Sequence, residues 1–171
     1  MYTTIARWTI EHDPDATRQC YARIPGEYAC NCQSCENYLA LREGDLPREL
    51  WNLLGSLAIP FRKPAEIGLA QTGTGESVQY GVWYHFVGRI VAGADCWKPT
   101  SETGYMYDGE GIAPGVSFGS SSNLALVNDA FAGRPTVQLD FQLEVPWVLD
   151  TLSHPFFDAF NPAFANRNPD S

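Results

Sequence analysis

Residues 80–91, YGVWYHFVGRIV, constrain the fold more than any other stretch of this chain. Successive side chains of a β-strand point to opposite faces, so even-numbered and odd-numbered residues form two separate surfaces. Both surfaces are largely apolar here: one carries Tyr80, Val82, Tyr84, Phe86 and Ile90, and the other carries Trp83, His85, Val87 and Val91. A strand that is apolar on both faces is covered on both faces. We therefore expect residues 80–91 to lie in the middle of a sheet.

Five other segments have strand patterns. Residues 135–146 alternate apolar and polar side chains, which predicts an antiparallel strand with one face in the core and the other in water. Residues 3–10 also alternate and predict a half-buried strand, and residues 19–24 are expected to return beside it as the second arm of a hairpin. Shorter strands are predicted in residues 67–70 and 116–127.

Two consecutive helices are predicted between the N-terminal strands and residue 60. The first follows a group of cysteines and ends before Gly44, a residue suited to the C-terminus of a helix. The second is capped by Asp45, and its apolar side chains recur at helical spacing on one stripe. The members of this stripe are Leu46, Leu50, Leu53, Leu54 and Leu57. The predicted fold class is therefore α+β: a mostly antiparallel, twisted sheet with the two consecutive N-terminal helices packed on one face.

The length and charge of the chain limit its organisation and its partners. A chain of 171 residues fits one domain, so we predict a single globular domain over residues 1–171. Eleven lysines and arginines against twenty aspartates and glutamates leave a net charge of −9, and no basic run occurs. Such a surface repels phosphate backbones and anionic lipid headgroups. We therefore expect no nucleic-acid and no membrane partner, and the oligomeric state stays open.

The expected location is the cytoplasm. The first residues, MYTTIARWTIEHD, lack a basic segment followed by an apolar one, and no stretch approaches the roughly 20 apolar residues of a membrane span. The chain has five cysteines, an odd number, and three of them lie within residues 30–35, where mutual disulfides are sterically unfavourable. Both observations favour a reducing compartment.

The cysteines contain the most specific chemical signal in the sequence. Cys30, Cys32 and Cys35 form a C-x-C-x-x-C pattern, and Cys20 lies upstream, across an expected turn. Zinc prefers four soft ligands in tetrahedral geometry, and a hairpin with a Cys-rich turn at residues 20–35 can bring four thiolates together. We therefore predict one zinc ion bound by all four cysteines. Because four thiolates leave no open coordination position, the ion would have a structural role.

Three alternatives to this ligand set stay open. In the first, His12, His85 or Cys96 replaces Cys20 as the fourth ligand. In the second, the thiols are reduced and inert, and they pack as small apolar groups at a tight turn. In the third, the C-x-x-C pair is a redox dithiol at a helix N-terminus, where the helix dipole makes the first thiol more acidic.

One catalytic pattern occurs in a context that does not support it. Residues 115–119, GVSFG, match the G-x-S-x-G motif around Ser117. Asp140 or Asp150, followed by His154, then keeps the residue order of a hydrolase triad. The motif requires a buried parallel strand before the serine and a helix after it, and the neighbouring residues predict neither. We therefore interpret the match as a coincidence of short Gly/Ser patterns.

The predicted function is that of a small, non-enzymatic binding or interaction protein stabilised by structural zinc, with an unidentified protein or small molecule as its partner. The alternative is a small hydrolase that uses Ser117 or a pocket around His85. His85 is the isolated ionisable group of the central strand, and such groups in pockets are candidates for function. In that pocket, Tyr84, His85 and Arg89 would form a polar floor.

The aromatic C-terminal segment, residues 147–164, carries four phenylalanines at near-helical spacing. We expect a short helix whose aromatic side docks on the sheet, because leaving so much apolar surface in water is unfavourable. Recruitment of a partner by an exposed aromatic segment is the alternative.

Overall fold

The computed structural model describes residues 1–72, 77–101 and 104–150. Its helices are α1 (Pro14–Arg23), α2 (Gln33–Ala40) and α3 (Arg48–Ser56). Its strands are β1 (Tyr2–Ile5), β2 (Trp8–His12), β3 (Glu66–Thr72), β4 (Ser77–Ala92), β5 (Trp97–Pro99), β6 (Tyr105–Tyr107), β7 (Glu110–Ala113), β8 (Val116–Ser121) and β9 (Thr136–Pro146). Short 3₁₀ helices lie at Glu43–Asp45 and Asp129–Phe131.

Seven strands form one antiparallel sheet in the order β1-β2-β4-β9-β8-β7, and β3 pairs with β4 beside this path. Strand β4 pairs with β9 along residues 77–87. Its other edge is shared by β3, along residues 78–83, and by β2, along residues 88–92. Strands β5 and β6 form a separate two-stranded sheet. The prediction of an α+β fold with a mostly antiparallel sheet is confirmed, and residues 80–91 lie at its centre.

The predicted hairpin arm at residues 19–24 is wrong, because these residues lie in and directly after α1. The acidic run before them starts a helix rather than a turn. Asp13 is the N-cap residue, its carboxylate accepts a hydrogen bond from the first helical turn at 2.9 Å, and Pro14 occupies that turn. The predicted single strand at residues 3–10 is likewise two strands, since β1 and β2 pair with each other as a hairpin.

Helix α1 completes the edge of β4 between the two strands that share it. Neither β2 nor β3 pairs with residues 84–87, so the backbone groups of this edge need other partners. The Tyr21 hydroxyl donates to the His85 carbonyl at 2.9 Å and accepts from the His85 N–H at 3.3 Å. The Thr17 hydroxyl accepts from the Val87 N–H at 3.0 Å. Two side chains one turn apart on α1 therefore take the place of a neighbouring strand.

We call one side of β4 and β9 the apolar face. Its members, all at most 2 % exposed, are Tyr80, Val82, Tyr84, Phe86, Val137, Leu139, Phe141 and Leu143. Helix α2 packs on this face through Tyr38, whose ring lies 5.6 Å from that of Tyr80 and whose hydroxyl is 2.6 Å from that of Tyr84. The leucines of α3 belong to the same core, and the predicted burial of Leu50, Leu53, Leu54 and Leu57 is confirmed.

We call the opposite side of the same strands the polar face, which carries His85, Gln138 and Asp140. The polar side chains of β9 were expected to lie in water, but Gln138 is 2 % exposed and Asp140 is 1 % exposed. Trp97 Nε1 donates to Asp140 Oδ1 at 2.9 Å, and the Tyr107 hydroxyl donates to the Asp140 carbonyl at 3.0 Å, whereas Gln138 Oε1 accepts from Ala125 N at 2.8 Å. The expectation is therefore wrong for these two residues, because the β5–β6 sheet contacts Asp140 and the segment before β9 contacts Gln138.

The chain leaves β9 beside α2, where Val148 N donates to Asn37 Oδ1 at 2.7 Å. Residues 151–164 of the predicted aromatic segment lie outside the described residues, so the docking of that segment stays a prediction. Within the described ranges, no helix has both the length and the apolar character that a bilayer crossing requires.

Candidate metal site

The C-x-C-x-x-C pattern lies where an irregular segment enters α2. Cys32 is the N-cap residue of this helix, with extended backbone angles of φ −83° and ψ 148°, and its side chain makes no capping hydrogen bond. Cys35 follows in the first turn, three residues later, and side chains at this spacing lie on the same side of a helix start. The helix start therefore brings two sulfur atoms together, and the preceding segment adds Cys30.

The three sulfur atoms are close enough to share one ion. All lie within 4.8 Å of one another, and Cys30 Sγ is 3.3 Å from Cys32 Sγ. All three residues are free thiols. A zinc–sulfur distance of about 2.3 Å in tetrahedral geometry places two ligand sulfurs roughly 3.8 Å apart. The separations of the three sulfur atoms are therefore similar to those in a zinc–thiolate site.

The three thiols differ in exposure and acidity. Cys32 is exposed, Cys30 is half-buried and Cys35 is only 3 % exposed. The pKa of Cys30 is lowered, first by a hydrogen bond from the Cys32 backbone and then by its contacts with the other two thiols. Burial raises the pKa of Cys35, and its hydrogen bonds to Cys30 and Cys32 raise it further. A cation that binds all three sulfurs must displace the Cys35 proton, so its affinity falls at low pH.

Hydrogen bonds hold the start of α2 on the sheet. The Tyr80 hydroxyl donates to the Ser34 carbonyl at 2.8 Å, and Asn37 Nδ2 donates to the Tyr80 hydroxyl at 3.2 Å. The buried Asn37 side chain also donates to the Pro146 carbonyl at 3.3 Å and accepts from Val148 N at 2.7 Å. The thiols therefore lie at a helix end whose position is set by β4 and by the end of β9.

A carboxylate adds negative charge beside the thiols. The Tyr28 hydroxyl donates to Glu66 Oε1 at 3.3 Å. Burial, and then the Glu66 charge, raise the pKa of Tyr28 to about 12, and the same charge opposes the lowering of the pKa of Cys30. Negative charge next to thiolates favours the binding of a cation, which neutralises both.

Cys20 does not belong to this group. It is fully buried in α1, and its sulfur is not among those that lie within 4.8 Å of one another. The set of four cysteines was predicted from a hairpin, whereas Cys20 lies on the buried side of a helix, next to Tyr21. In the described ranges, no other cysteine, histidine, aspartate or glutamate joins the three thiols. Ligation by Cys20 stays a prediction that would require α1 to change.

The other predicted fourth ligands also have partners elsewhere. His12 Nε2 is 2.9 Å from the Thr3 hydroxyl in the N-terminal hairpin. His85 contacts Gln138 at 3.3 Å, and Cys96 contacts Asp140 at 3.6 Å, both of which are side chains of β9. The structure therefore brings together three of the sequence-predicted ligands and leaves the alternatives in separate regions.

Ser117 lies inside the antiparallel strand β8 rather than at the strand-to-helix turn that its motif requires. Its hydroxyl donates to the Tyr107 hydroxyl at 3.5 Å, and it bonds no histidine in the part of the chain that the structure describes. Asp140 is buried in the polar face, Asp150 is exposed, and His154 lies outside the described residues. Among the described residues, the Ser117 hydroxyl is therefore hydrogen-bonded to neither a histidine nor a carboxylate.

A cavity of about 230 Å³ lies beside His85. Of the three predicted floor residues, only His85 lines it, because the Tyr84 hydroxyl points to the opposite face and donates to the Phe61 carbonyl, and Arg89 is exposed elsewhere. Lys63 also lines this cavity. No sequence motif marks Lys63 as a lining residue, because the residues around the cavity come from separate segments of the chain.

Comparison of the chain with protein-family models, curated proteins and solved structures found no significant match. The proposals below therefore rest on two features described above. One is the group of three thiols at the start of α2, and the other is the cavity beside His85.

Proposed function

We propose that this chain is a small binding protein whose fold is stabilised by one zinc ion held by Cys30, Cys32 and Cys35. The observation that supports the proposal is the convergence of the three sulfur atoms to within 4.8 Å at the start of α2. Three soft thiolates select zinc or another thiophilic ion over magnesium or calcium, which prefer oxygen ligands. The fourth position of a tetrahedral zinc site is then occupied by water or by a donor from outside this group.

The structural role follows from the place of the thiols in the chain. Cys30 belongs to an irregular segment, whereas Cys35 is buried in the first turn of α2. An ion bound to both therefore ties that segment to the helix. Cys32 has no capping hydrogen bond, so metal coordination gives its side chain a role that capping does not. Metal binding to the folded site adds its free energy to the stability of the fold.

Metal content tests this proposal. Protein purified under reducing conditions without chelator should contain about one zinc per chain, the number expected for a single site. Exchange for cobalt should give the visible and near-ultraviolet absorption of cobalt–thiolate bonds. Chelator should lower the melting temperature of the wild type, because the ion binds the folded state and not the unfolded one.

Two serine variants form a matched pair. Cys32→Ser should lose the ion and the chelator effect, whereas Cys20→Ser should keep both, because Cys20 lies outside the group. Loss of the ion in Cys20→Ser would instead show that α1 rearranges and that Cys20 is a ligand. Metal-free protein with a melting temperature indifferent to chelator would leave three inert thiols and contradict the proposal.

The cavity beside His85 supports the binding role. His85 belongs to the central strand β4 and lines this cavity. A hydrolase centred on Ser117 is the competing proposal. Stoichiometric labelling by a fluorophosphonate probe that disappears in Ser117→Ala would favour the hydrolase and contradict a purely non-enzymatic function. Labelling that is absent, or that persists in Ser117→Ala, would leave Ser117 without a catalytic role.

A further inference from the structure

The cavity beside His85 lies between the end of α1, strand β4 and the segment that precedes β9. Its volume is about 230 Å³. The lining includes Tyr21, Tyr28, Lys63, His85, Leu126 and Phe131. Because pockets for drug-sized ligands usually measure roughly 300–1,000 Å³, the occupant of this one has to be smaller, with about one ring.

Lys63 supplies a positive charge to the wall of the cavity. Its ammonium group donates to the Ile24 carbonyl at 2.6 Å and to the Tyr21 carbonyl at 3.2 Å, which caps the end of α1. An ammonium group has three donors, so one is left. No carboxylate oxygen of the described residues lies within 4.0 Å of Lys63 Nζ, whereas Lys98, the other lysine, pairs with Asp108. Helix capping therefore explains two donors but not the third.

The acidic residue of the lining, Glu27, forms no ion pair with Lys63. Glu27 also borders the cavity, but its side chain is 55 % exposed and its carboxylate pairs with Arg62 at 3.6 Å. The chain as a whole carries a net charge of −9. An ammonium group without a carboxylate partner is a suitable partner for an anionic group of a ligand.

Aromatic residues also line the cavity. The ring of Phe131 lies 5.5 Å from that of Tyr21 and 6.0 Å from that of His85, both in edge-to-face contact. The Tyr21 hydroxyl is occupied by the His85 backbone, and the His85 ring faces Gln138 Oε1 at 3.3 Å. Their polar groups therefore serve the protein itself, and because Tyr21 is 4 % exposed and His85 and Phe131 are each 2 % exposed, only small parts of these rings border the cavity.

Leu126 is a separate sign of function at the rim. It has a positive φ of 56°, which is unfavourable for a residue with a Cβ, and its side chain is 60 % exposed. The preceding residue is held in place, since Ala125 N donates to Gln138 Oε1 at 2.8 Å. Strained backbone held by its surroundings is found preferentially at binding sites. Leu126 is thus placed to cover a ring that enters the cavity.

We propose that this cavity binds a small aromatic carboxylate, with the carboxylate on Lys63 Nζ and the ring against Tyr28 and Leu126, two lining residues that keep exposed surface. The carboxylate matches the free donor, and the single ring matches the volume of the cavity. The inference rests on the proposed binding role but not on the zinc ion.

Benzoate and benzamide are the probes that test this proposal, because they share a ring and differ in charge. Binding to the full-length protein is measured by ligand-observed NMR and by the shift of the melting temperature. Benzoate should bind, and benzamide should bind about tenfold more weakly, because its neutral carbonyl oxygen can accept a hydrogen bond from Lys63 but forms no ion pair with it. Equal binding of the two probes, or binding of neither, would overturn the proposal.

The two lysines provide the matched variants. Lys63→Met should weaken benzoate binding about tenfold or more, whereas Lys98→Met should not change it, because Lys98 lies outside the cavity. If Lys63→Met unfolds through loss of the α1 cap, Ala65→Leu replaces it as the test. Ala65 lines the cavity, so a larger side chain there should reduce binding with Lys63 still present. Unchanged benzoate binding in folded Lys63→Met or in folded Ala65→Leu would contradict the site.

Cys32→Ser separates this proposal from the metal site. The variant should lose zinc and keep benzoate binding, because no thiol of the group lines the cavity. Retained zinc without benzoate binding in the wild type would overturn the cavity proposal alone. Benzoate binding by wild-type protein that was purified without chelator and contains no zinc would overturn the metal proposal alone.

Discussion

The two faces of strands β4 and β9 are buried to the same depth by different means. Leu139 and Phe141 of the apolar face are fully buried, and so, within 2 %, are Gln138 and Asp140 of the polar face. The apolar side chains need only contact, since transfer from water stabilises each buried apolar group by about 1.5–3 kcal/mol. The polar side chains need partners in fixed directions, because a buried polar group without a hydrogen bond is destabilising.

The partners on the polar face are specific and few. Asp140 Oδ1 accepts from Trp97 Nε1 at 2.9 Å and from Gln138 Nε2 at 3.0 Å, and Oδ2 accepts from Cys96 Sγ at 3.6 Å. On the apolar face, Tyr84 and Phe118 surround Phe141 through ring contacts that tolerate a range of angles. The comparison indicates that the apolar face sets stability, and that the polar face determines where the β5–β6 sheet docks.

The largest effect is expected on the apolar face. Phe141→Ala should lower the free energy of unfolding by about 3–5 kcal/mol, since it removes a fully buried ring and leaves a cavity. Urea denaturation measures this change, and Phe141→Leu, which keeps most of the volume, should cost less than about 1.5 kcal/mol. If Phe141→Ala lowers the free energy of unfolding by less than about 1.5 kcal/mol, the core closes around the space left by the ring.

The next effect tests the polar face. Asp140→Ala should cost about 2–4 kcal/mol, because the Trp97, Gln138 and Cys96 donors lose their acceptor while still buried. Asp140→Asn keeps one acceptor oxygen and should cost less. The near-ultraviolet circular dichroism of Trp97 gives a second measurement, which should change in the alanine variant. Equal stability of the wild type and the alanine variant would contradict a structural role for this network.

A glycine pair tests the close contact between the polar face and its cover. A Cβ at Gly119 would lie 2.5 Å from Cys96 Cβ and 2.8 Å from its sulfur, so Gly119→Ala should cost about 1–3 kcal/mol. At Gly81, the nearest atom to an added Cβ is Gln142 Nε2 at 3.5 Å, an ordinary contact. Gly81→Ala should therefore be neutral or stabilising by up to about 1 kcal/mol. The same cost at both positions would contradict the close packing of Cys96.

The pH dependence of stability should also distinguish the faces. Burial raises the pKa of Asp140 above the ordinary value of 3.8, with partial compensation by its hydrogen-bond donors. Between 3.8 and the raised pKa, the folded state keeps a proton that the unfolded state has lost. The contribution of Asp140 to the free energy of unfolding therefore falls as the pH rises through this window. The stability difference between the wild type and Asp140→Asn should shift against the wild type over the same range, and a constant difference would contradict the raised pKa.

The smallest effect concerns the end of α3, beside the apolar core. Ala58 follows this helix with a positive φ of 57°, and Ile59 N donates to the Leu54 carbonyl at 2.9 Å, as in a helix end that normally uses glycine. Ala58→Gly should raise the free energy of unfolding by about 0.5–1 kcal/mol. Ala58→Val should lower it, since a β-branched residue is strained at positive φ. Thermal or urea unfolding of the three proteins checks this order.

The sequence by itself determined the features that depend on short-range periodicity. Alternation at residues 80–91 and 135–146 predicted the two central strands, and helical spacing predicted the buried leucines of α3. The three thiols come together for the same reason, since the start of one helix joins residues only five positions apart. A pattern of this kind constrains the backbone directly, because the period of a strand or helix decides which side chains share a face.

Only the tertiary structure decided what covers each face. Alternation showed that Asp140 lies opposite the core, but not that Trp97, 43 residues away, would exclude water from it. The cavity likewise depends on the contact of Lys63 with Tyr21, 42 residues earlier. Cys20 was misplaced because an Asp-Pro helix start was interpreted as a turn. Contacts between distant segments depend on the packing of whole elements, and the period of a sequence carries no information about which elements meet.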